Sequence, residues 1–358
     1  MSSEQQTVQE RETIIASTSP GAPAGWRHAR GSCHHRAVPT YRLIVEYEGT
    51  RYHGWQEQAN ARSVVGALRG AILAAGGDLA DIGGAGRTDA GVHALEQTAH
   101  LRLRRPVDPE TFRRALNEAL PADIHALALL AATDAFHARH DAVSRVYLYQ
   151  VSRRRAAHAK RHVWWVKRPI DTRRMVEAAA PLTGRHDFAL LCERPAEQTS
   201  TLVELETIEV ADAGALILVR LAASHFLWKM VRRVVGVLVR AGCGELSAQD
   251  VEGLLAGRLP HGAEEGIAQW TAPASGLFLE RVFYPGETRD LPPLGASAPT
   301  PVPAEPDRGA LFAGAPGERP RDGRAARGSS RPSGARGSGG GTRAGARARG
   351  RARRDRGR

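Results

Sequence analysis

Hydrophobic and polar residues alternate with two different periods along this chain, and each period predicts one kind of element. A period of two, typical of half-buried strands, occurs at residues 41–47, 97–103, 144–151 and 216–221. A period near 3.6, typical of amphipathic helices, follows Ser63 and Asp108 and occurs within residues 171–180 and 226–239. Strands and helices mixed in this way favour an α+β fold with a sheet covered by helices on one side.

Two of the predicted helices carry signals for where they begin and end. Ser63 stands just before an apolar stripe, where its hydroxyl can accept a hydrogen bond from a free backbone N–H of the first turn. Asp108 is followed by Pro109, a pair that suits the cap and the first helical position. Pro121 ends this second helix, because proline removes a backbone donor.

The periodic signals are confined to residues 41–285, a length sufficient to bury a substantial core. Residues 1–40 are polar and lack a period, which predicts a flexible N-terminal extension. Residues 287–358 are rich in Pro, Gly, Ala and Arg and cannot bury enough apolar surface to fold. They predict a disordered basic tail. It either binds single-stranded nucleic acid weakly or is a solvated segment without a specific partner.

The net charge of +12 is a property of this tail. Residues 321–358 hold thirteen arginines and two aspartates, a net charge of +11, which leaves +1 for residues 1–320. A nucleic-acid surface on the body would therefore depend on local clusters, for which residues 102–105, 153–155 and 160–168 are candidates. Such runs of charge usually lie on solvated surfaces, so each run taken alone is weak support for a nucleic-acid surface.

Three widely spaced cysteines, an odd number, argue against a disulfide framework. No run of eighteen apolar residues and no signal peptide is found, which predicts a cytoplasmic protein without a membrane span. No pair of Cys and His motifs completes a metal site, so neither a metal nor a small-molecule cofactor is expected.

Residues 86–94, GRTDAGVHA, form the candidate reactive loop. They place one carboxylate, Asp89, between Arg87 and flexible glycine backbone. Gly83, Gly84 and Gly86 precede it, where a Cβ would clash and where a ligand can approach the backbone. A loop entering a strand is a common position for a reactive side chain. The alternative is an aspartate that caps a turn and pairs locally with Arg87.

Five motifs together make the chain resemble one known family. GRTDAGVHA resembles the signature of the TruA family of tRNA pseudouridine synthases. Similar stretches follow the family's order at residues 47–58, 144–149 (SRVYLY), 226–236 (FLWKMVRRVVG) and 276–279 (GLFL). The resemblance covers the body and neither terminal segment.

The resemblance implies a pseudouridine synthase fold, with two similar α/β-sandwich halves whose mostly antiparallel sheets surround a central basic cleft. The halves would be residues 41–141 and 142–286, flanked by disordered tails. It also implies a cofactor-independent isomerase that acts as a homodimer on uridines in the anticodon stem-loop of tRNA. The competing hypothesis is a non-catalytic RNA-binding protein or RNA chaperone that uses the Arg-rich tail.

The resemblance makes Asp89 the catalytic residue and Arg232 its cationic partner, since an opposing cation favours the ionised form of a shielded carboxylate. Arg87 would fill the space that an extruded base leaves. Asp89 would either add covalently to the sugar or base, or act as a base on the sugar through a glycal. The sequence does not choose between these routes. Arg232 is otherwise a surface arginine on a helix.

The same resemblance assigns substrate binding to Tyr147, which would stack on the flipped uridine, and to Leu277 or Leu279 as an apolar wall. All three are otherwise ordinary core residues. Tyr149, on the same face of its strand, is the residue expected in the core. His93 is expected to be structural within the loop.

The chain departs from the family's pattern at several places. Glu48 stands where Asp is usual, Ser224-His225 precedes the fourth motif, and Trp228-Lys229 lies within it. Residues 199–203 lack an arginine common in the family. These departures bear on substrate contacts more than on the chemistry.

Overall fold

Ten strands form one mixed sheet in the computed structural model, which describes residues 38–193, 200–295 and 298–300. The strands are β1 (Thr40–Tyr47), β2 (Leu79–Gly84), β3 (His93–Leu103), β4 (Ile124–Ala132), β5 (Ser144–Ser152), β6 (Trp164–Trp165), β7 (Gly184–Asp187), β8 (Leu202–Ala213), β9 (Leu216–Ala223) and β10 (Leu277–Phe283). Most of the predicted N-terminal extension and basic tail lies outside the described residues.

The sheet runs in the order β4-β1-β3-β10-β5-β9-β8-β7, with β2 on β3 and β6 on β5. Its neighbours are antiparallel except for β3 with β10 and β5 with β6. Strand β3 joins the two sides of the sheet, because its first residues, His93 and Ala94, pair with Phe278 and Leu279 of β10. The predicted α+β class is confirmed, whereas the division into halves at residue 141 stays a prediction.

Five α-helices accompany the strands within the described ranges. They are α1 (Val64–Ala74), α2 (Pro109–Ala119), α3 (Thr172–Ala179), α4 (Met230–Gly242) and α5 (Ala248–Leu255). Ser63 accepts a hydrogen bond from Gly66 N–H, and Asp108 accepts one from Thr111 N–H, so both predicted caps are confirmed. The helix predicted from residue 226 begins only at Met230, because Lys229 takes a left-handed conformation with φ of 59°.

The helices contribute to one large core on a single face of the sheet. Apolar side chains of α1, α2 and α4 pack there with alternate strand residues, among them Leu43, Leu101, Tyr149 and Leu221. Strand residues of opposite alternation, such as Leu148 and Phe278, point to the other face. A helix-covered sheet face is what the mixed periods predicted.

The segment after β10 covers part of this second face. Leu291 packs on a small cluster containing Val146 and Phe283, and Leu294 packs on a neighbouring one. The composition places disorder from residue 287 onward, but local apolar residues give this described stretch a packed position. Within the part of the chain that the structure describes, no helix is both long and apolar enough to cross a membrane.

Gly236 lies in the middle of α4, where the backbone of Trp270 packs directly against the helix. A Cβ at this position would lie 1.8 Å from the carbonyl oxygen of Trp270. We therefore expect Gly236→Ala to lower the free energy of unfolding by about 1–3 kcal/mol or more, through forced displacement of that backbone. Denaturant unfolding measures this change.

Gly70 in α1 is the matched control, because a Cβ there would meet nothing within 4 Å. The same substitution at Gly70 should stabilise the protein by about 0.5–1 kcal/mol, since alanine restricts the unfolded chain. Equal effects at the two glycines would contradict the close approach at Trp270.

Candidate active site

The loop between β2 and β3 carries Asp89 and is fastened to the strands around it. The Gly86 carbonyl accepts a hydrogen bond from Gln97 Nε2 at 2.8 Å. The Thr88 carbonyl accepts one from the Trp55 N–H at 3.1 Å, and the Thr88 side chain is buried. Because both anchors lie just before Asp89, the backbone that leads to it is held by β3 and by the segment containing Trp55 rather than by local turns alone.

Several positions near this loop require glycine, and Gly91 and Gly84 are two of them. Gly91 has φ of +78°, a left-handed conformation that favours glycine. A Cβ at Gly84 would lie 2.5 Å from the ring of Trp55, so the predicted overlap is confirmed there. At Gly86 the prediction is wrong, since the nearest atom would be the Tyr147 hydroxyl at an ordinary 3.7 Å.

Both carboxylate oxygens of Asp89 accept hydrogen bonds from residues more than a hundred positions away. Oδ2 lies 3.2 Å from Nη1 of Arg232, and Oδ1 accepts a bond from Nε1 of Trp228 at 3.1 Å. The side chains of Asp89 and Arg232 are only 26% and 16% exposed. The alternative of a local pair with Arg87 does not occur, because Arg87 forms no ion pair with any described residue.

Arg232 is itself held in place. It lies in the first turn of α4, and its Nε donates to the Ala272 carbonyl at 2.7 Å. The Arg232 carbonyl in turn accepts a hydrogen bond from the Ala272 N–H at 3.0 Å. The guanidinium therefore meets Asp89 from a fixed position instead of lying free on a helix surface.

Tyr147 lies close enough to this pair for electrostatic coupling to Asp89. Its ring is buried and meets Phe226 edge to face, with ring centroids 5.1 Å apart. Burial, with smaller contributions from Tyr47 and Asp89, raises the pKa of the Tyr147 hydroxyl well above its usual value. The hydroxyl is therefore protonated at neutral pH.

The two candidate wall residues lie next to tyrosines of β5. In the antiparallel register Leu279 faces Tyr147, and Leu277 faces Tyr149. Tyr149 is fully buried and donates to the Pro273 carbonyl at 2.7 Å, in agreement with the expected core position. Leu279 is thus the leucine beside Tyr147, and a role for either leucine as the wall stays a prediction.

Arg87 is exposed and borders a groove of about 290 Å³ beside the loop. Trp55, Gly84, His100 and Arg139 line the same groove. The guanidinium is therefore positioned to contact a ligand that crosses the loop, and its role beside an extruded base stays a prediction.

Arg145, the second residue of the SRVYLY motif, is a buried cation whose hydrogen bonds to the described residues all go to backbone carbonyls. Its guanidinium donates to Ala85 at 3.3 Å, to Arg139 at 2.6 Å, to Ala142 at 3.0 Å and to Ser224 at 2.5 Å. Ala85 precedes the Asp89 loop, and Ser224 precedes the turn that leads to α4. One side chain therefore ties together both segments that supply the Asp89 pair.

His93 is the first residue of β3 rather than a loop residue, and it is fully enclosed. Its Nδ1 accepts a hydrogen bond from Gly49 N–H at 3.0 Å, and its Nε2 lies 2.9 Å from the Arg161 carbonyl. Burial, with help from His162, lowers the pKa of His93 to about 4. The ring is neutral at pH 7, in keeping with a structural role.

Glu48, His93 and His162 are close enough by distance to ligate a metal ion, with one donor atom from each within 4.8 Å of the others. Ligation by His93 would require one of its two backbone hydrogen bonds to break. The cluster is therefore better explained as hydrogen-bonded support for the start of β3.

Two residues of the candidate site, Trp228 and Arg145, have no role that the sequence predicts. Both belong to stretches that carry the family resemblance, yet nothing local shows that Trp228 bonds to Asp89 or that Arg145 joins two segments. The one signal in the sequence is that Trp228 departs from the family's pattern.

Comparison with known proteins shows the family to which the chain belongs. A family model described as tRNA pseudouridine synthase matches residues 43–141 and 178–285. The chain is 40% identical over 253 residues to tRNA pseudouridine synthase A of Agrobacterium fabrum, covering 69% of this chain and 93% of the relative. It is 41% identical over 253 residues to the Beijerinckia indica protein of the same name, covering 70% and 95%. The chain therefore belongs to the tRNA pseudouridine synthase family, whose members are enzymes that isomerise uridine to pseudouridine.

Proposed function

We propose that this enzyme modifies uridines in the anticodon stem-loop of tRNA, with Asp89 as the reacting carboxylate. The observation that supports it most directly is the Asp89–Arg232 pair at 3.2 Å, on a fastened loop beside the buried hydroxyl of Tyr147. A carboxylate so placed is superfluous for binding RNA, whose phosphates repel it. The same observation speaks against the non-catalytic alternative.

The reaction breaks the N1–C1′ glycosidic bond, turns the base and forms a C5–C1′ bond. The C5 proton is lost and N1 gains one, so the isomerisation is redox-neutral. Asp89 either bonds to the sugar or base, or removes a sugar proton to give a glycal. In both routes Arg232 compensates the carboxylate's charge, and the protonated Tyr147 hydroxyl can pass a proton.

A uridine inside an RNA stem can reach Asp89 only after it leaves the base stack. We propose that Arg87 enters the vacated space, because it is exposed and unpaired among the described residues at the edge of the loop. Tyr147 would then stack on the extruded base, and Leu277 or Leu279 would close the pocket from β10.

The basic clusters differ in how available they are to RNA. Arg102 and Arg153 each pair with a neighbouring aspartate, so their charge is already compensated. At Trp165, by contrast, the Arg155 guanidinium and the Lys167 ammonium lie 5.8 Å and 5.7 Å from an exposed ring centre. An exposed aromatic flanked by cations suits single-stranded nucleic acid, and this cluster is the proposed RNA contact.

A homodimer in the cytoplasm is part of the proposal. Residues 1–320 carry a net charge of only +1, so two copies would bring their basic clusters to one tRNA. Sedimentation of the protein with and without tRNA tests the dimer, and a monomer under both conditions would refute it.

The deciding experiment incubates the protein with unmodified tRNA transcripts and maps pseudouridine by position, with Asp89→Ala in parallel. We expect product in the anticodon stem-loop only, and none with the variant. Product elsewhere in the tRNA would refute the assigned site. Tight binding without product from either protein would favour the non-catalytic alternative.

Arg145 offers a prediction about positioning. Arg145→Lys keeps the charge but cannot reach four carbonyls, so the Asp89 loop and the turn before α4 lose their common anchor. We expect the single-turnover rate to fall about tenfold or more while tRNA affinity stays unchanged, because small displacements of reacting groups slow chemistry strongly.

Arg289→Lys is the control for this prediction. Arg289 forms a half-exposed pair with Glu206, so its replacement should leave the rate unchanged. A loss of affinity in Arg145→Lys equal to its loss of rate would contradict a positioning role.

A further inference from the structure

Trp228 combines two properties that rarely occur together. Its side chain is a large exposed hydrophobic group, with 46% of the residue's surface accessible. Nevertheless its indole N–H is directed at Asp89 Oδ1, 3.1 Å away. Water can satisfy the single donor of an exposed indole, yet here that donor bonds to the candidate reacting carboxylate.

The turn that presents Trp228 is held in an unfavourable backbone conformation. Lys229, the next residue, is the one non-glycine residue in the described ranges with a positive φ, at 59°. Contacts with Glu193 stabilise this turn. The Glu193 N–H donates to the Trp228 carbonyl at 2.9 Å, and the Lys229 ammonium lies 2.6 Å from the Glu193 carboxylate.

The indole ring is also supported from the side of Lys229, whose ammonium lies 4.9 Å from the ring centre. The position of Trp228 thus depends on a strained turn, two Glu193 contacts and a cation. Strain maintained by such contacts is typical of functional sites.

We propose that Trp228 is a positioning residue that orients the Asp89 carboxylate through its indole N–H, an inference that rests on the proposed role of Asp89. Arg232 alone holds one oxygen and leaves the carboxylate free to rotate about its Cβ–Cγ bond. A second donor on Oδ1 prevents that rotation. Each oxygen keeps a lone pair for the sugar or base, because an ionised carboxylate accepts about four hydrogen bonds.

The test compares wild type, Trp228→Phe and Trp228→Ala, measuring the single-turnover rate of pseudouridine formation and the tRNA dissociation constant separately. Phenylalanine keeps an aromatic ring and removes only the N–H. We expect Trp228→Phe to lower the rate about tenfold at unchanged affinity, as the loss of a hydrogen bond to a charged group predicts. Trp228→Ala should be at least as slow.

Two results would overturn the proposal. A wild-type rate in Trp228→Phe with a slow Trp228→Ala would show that the ring acts and the N–H does not. Weaker tRNA binding in both variants, with an unchanged rate at saturation, would make Trp228 an RNA contact only. Asp89→Asn is measured alongside, because turnover by that variant would refute the role of Asp89 itself and is distinguishable from both results.

Discussion

Asp89→Asn should abolish pseudouridine formation and leave tRNA binding intact or stronger. Asparagine has nearly the shape of aspartate and can still accept a hydrogen bond from Arg232, but it cannot act as nucleophile or base. We expect the rate to fall by at least about 10³-fold, within the range that loss of a reacting group produces. Binding should not weaken, because the negative charge facing the RNA phosphates is removed.

Single-turnover assays and filter binding on the same preparations measure these two effects. Asp134→Asn provides the matched control, since Asp134 is exposed and the chemical change is identical. If Asp89→Asn kept more than a small fraction of the wild-type rate, another group would have to carry the chemistry.

Glu280→Gln should produce the largest loss of stability. Glu280 and Arg220 form a double hydrogen bond, Nε to Oε2 at 2.9 Å and Nη2 to Oε1 at 2.7 Å, with side chains only 8% and 3% exposed. Replacing one member leaves the other charge buried and uncompensated. We expect the free energy of unfolding to fall by about 3–5 kcal/mol, measured by denaturant unfolding.

The double variant Arg220→Met with Glu280→Leu separates the cost of one uncompensated buried charge from the stability that the ion pair itself contributes. Removing both charges should recover much of the stability, since apolar residues of similar volume often replace buried ion pairs without penalty. A Glu280→Gln variant as stable as wild type would mean that water reaches the pair in solution.

The sequence predicted those parts of the fold that depend on neighbouring residues. Ser63 and Asp108 cap their helices as expected, because a capping bond spans only three residues. The alternating pattern predicts that β3 begins at residue 97, whereas the strand begins at His93. Its first residues pair with Phe278 and Leu279, more than 180 positions away. The hydrophobic period of neighbouring residues cannot predict a partner so distant in the chain.

The same distinction applies to the candidate site. Residues 86–94 make Asp89 a candidate but leave a turn cap as the alternative, and only the family resemblance assigns the catalytic role to Asp89 and pairs it with Arg232. The sequence predicts no role for Arg145 or Trp228. Their contacts join segments that meet only in the folded chain, so their importance depends on tertiary structure that residue patterns do not encode.

The junction of β3 with β10 sets how accurately the site must be assembled. Asp89 lies in the loop before β3. Arg232 lies in α4, which follows β9 on the β10 side of the junction. Strands β3 and β10 pair through just two residue pairs, Phe278 with His93 and Leu279 with Ala94. A slip of one residue there would shift the loop by about 3.3 Å, roughly the length of the hydrogen bond that joins Asp89 to Arg232. Neither side of the sheet expressed alone can therefore contain the complete candidate site, and we expect insertions on either side to be tolerated only where they preserve this alignment.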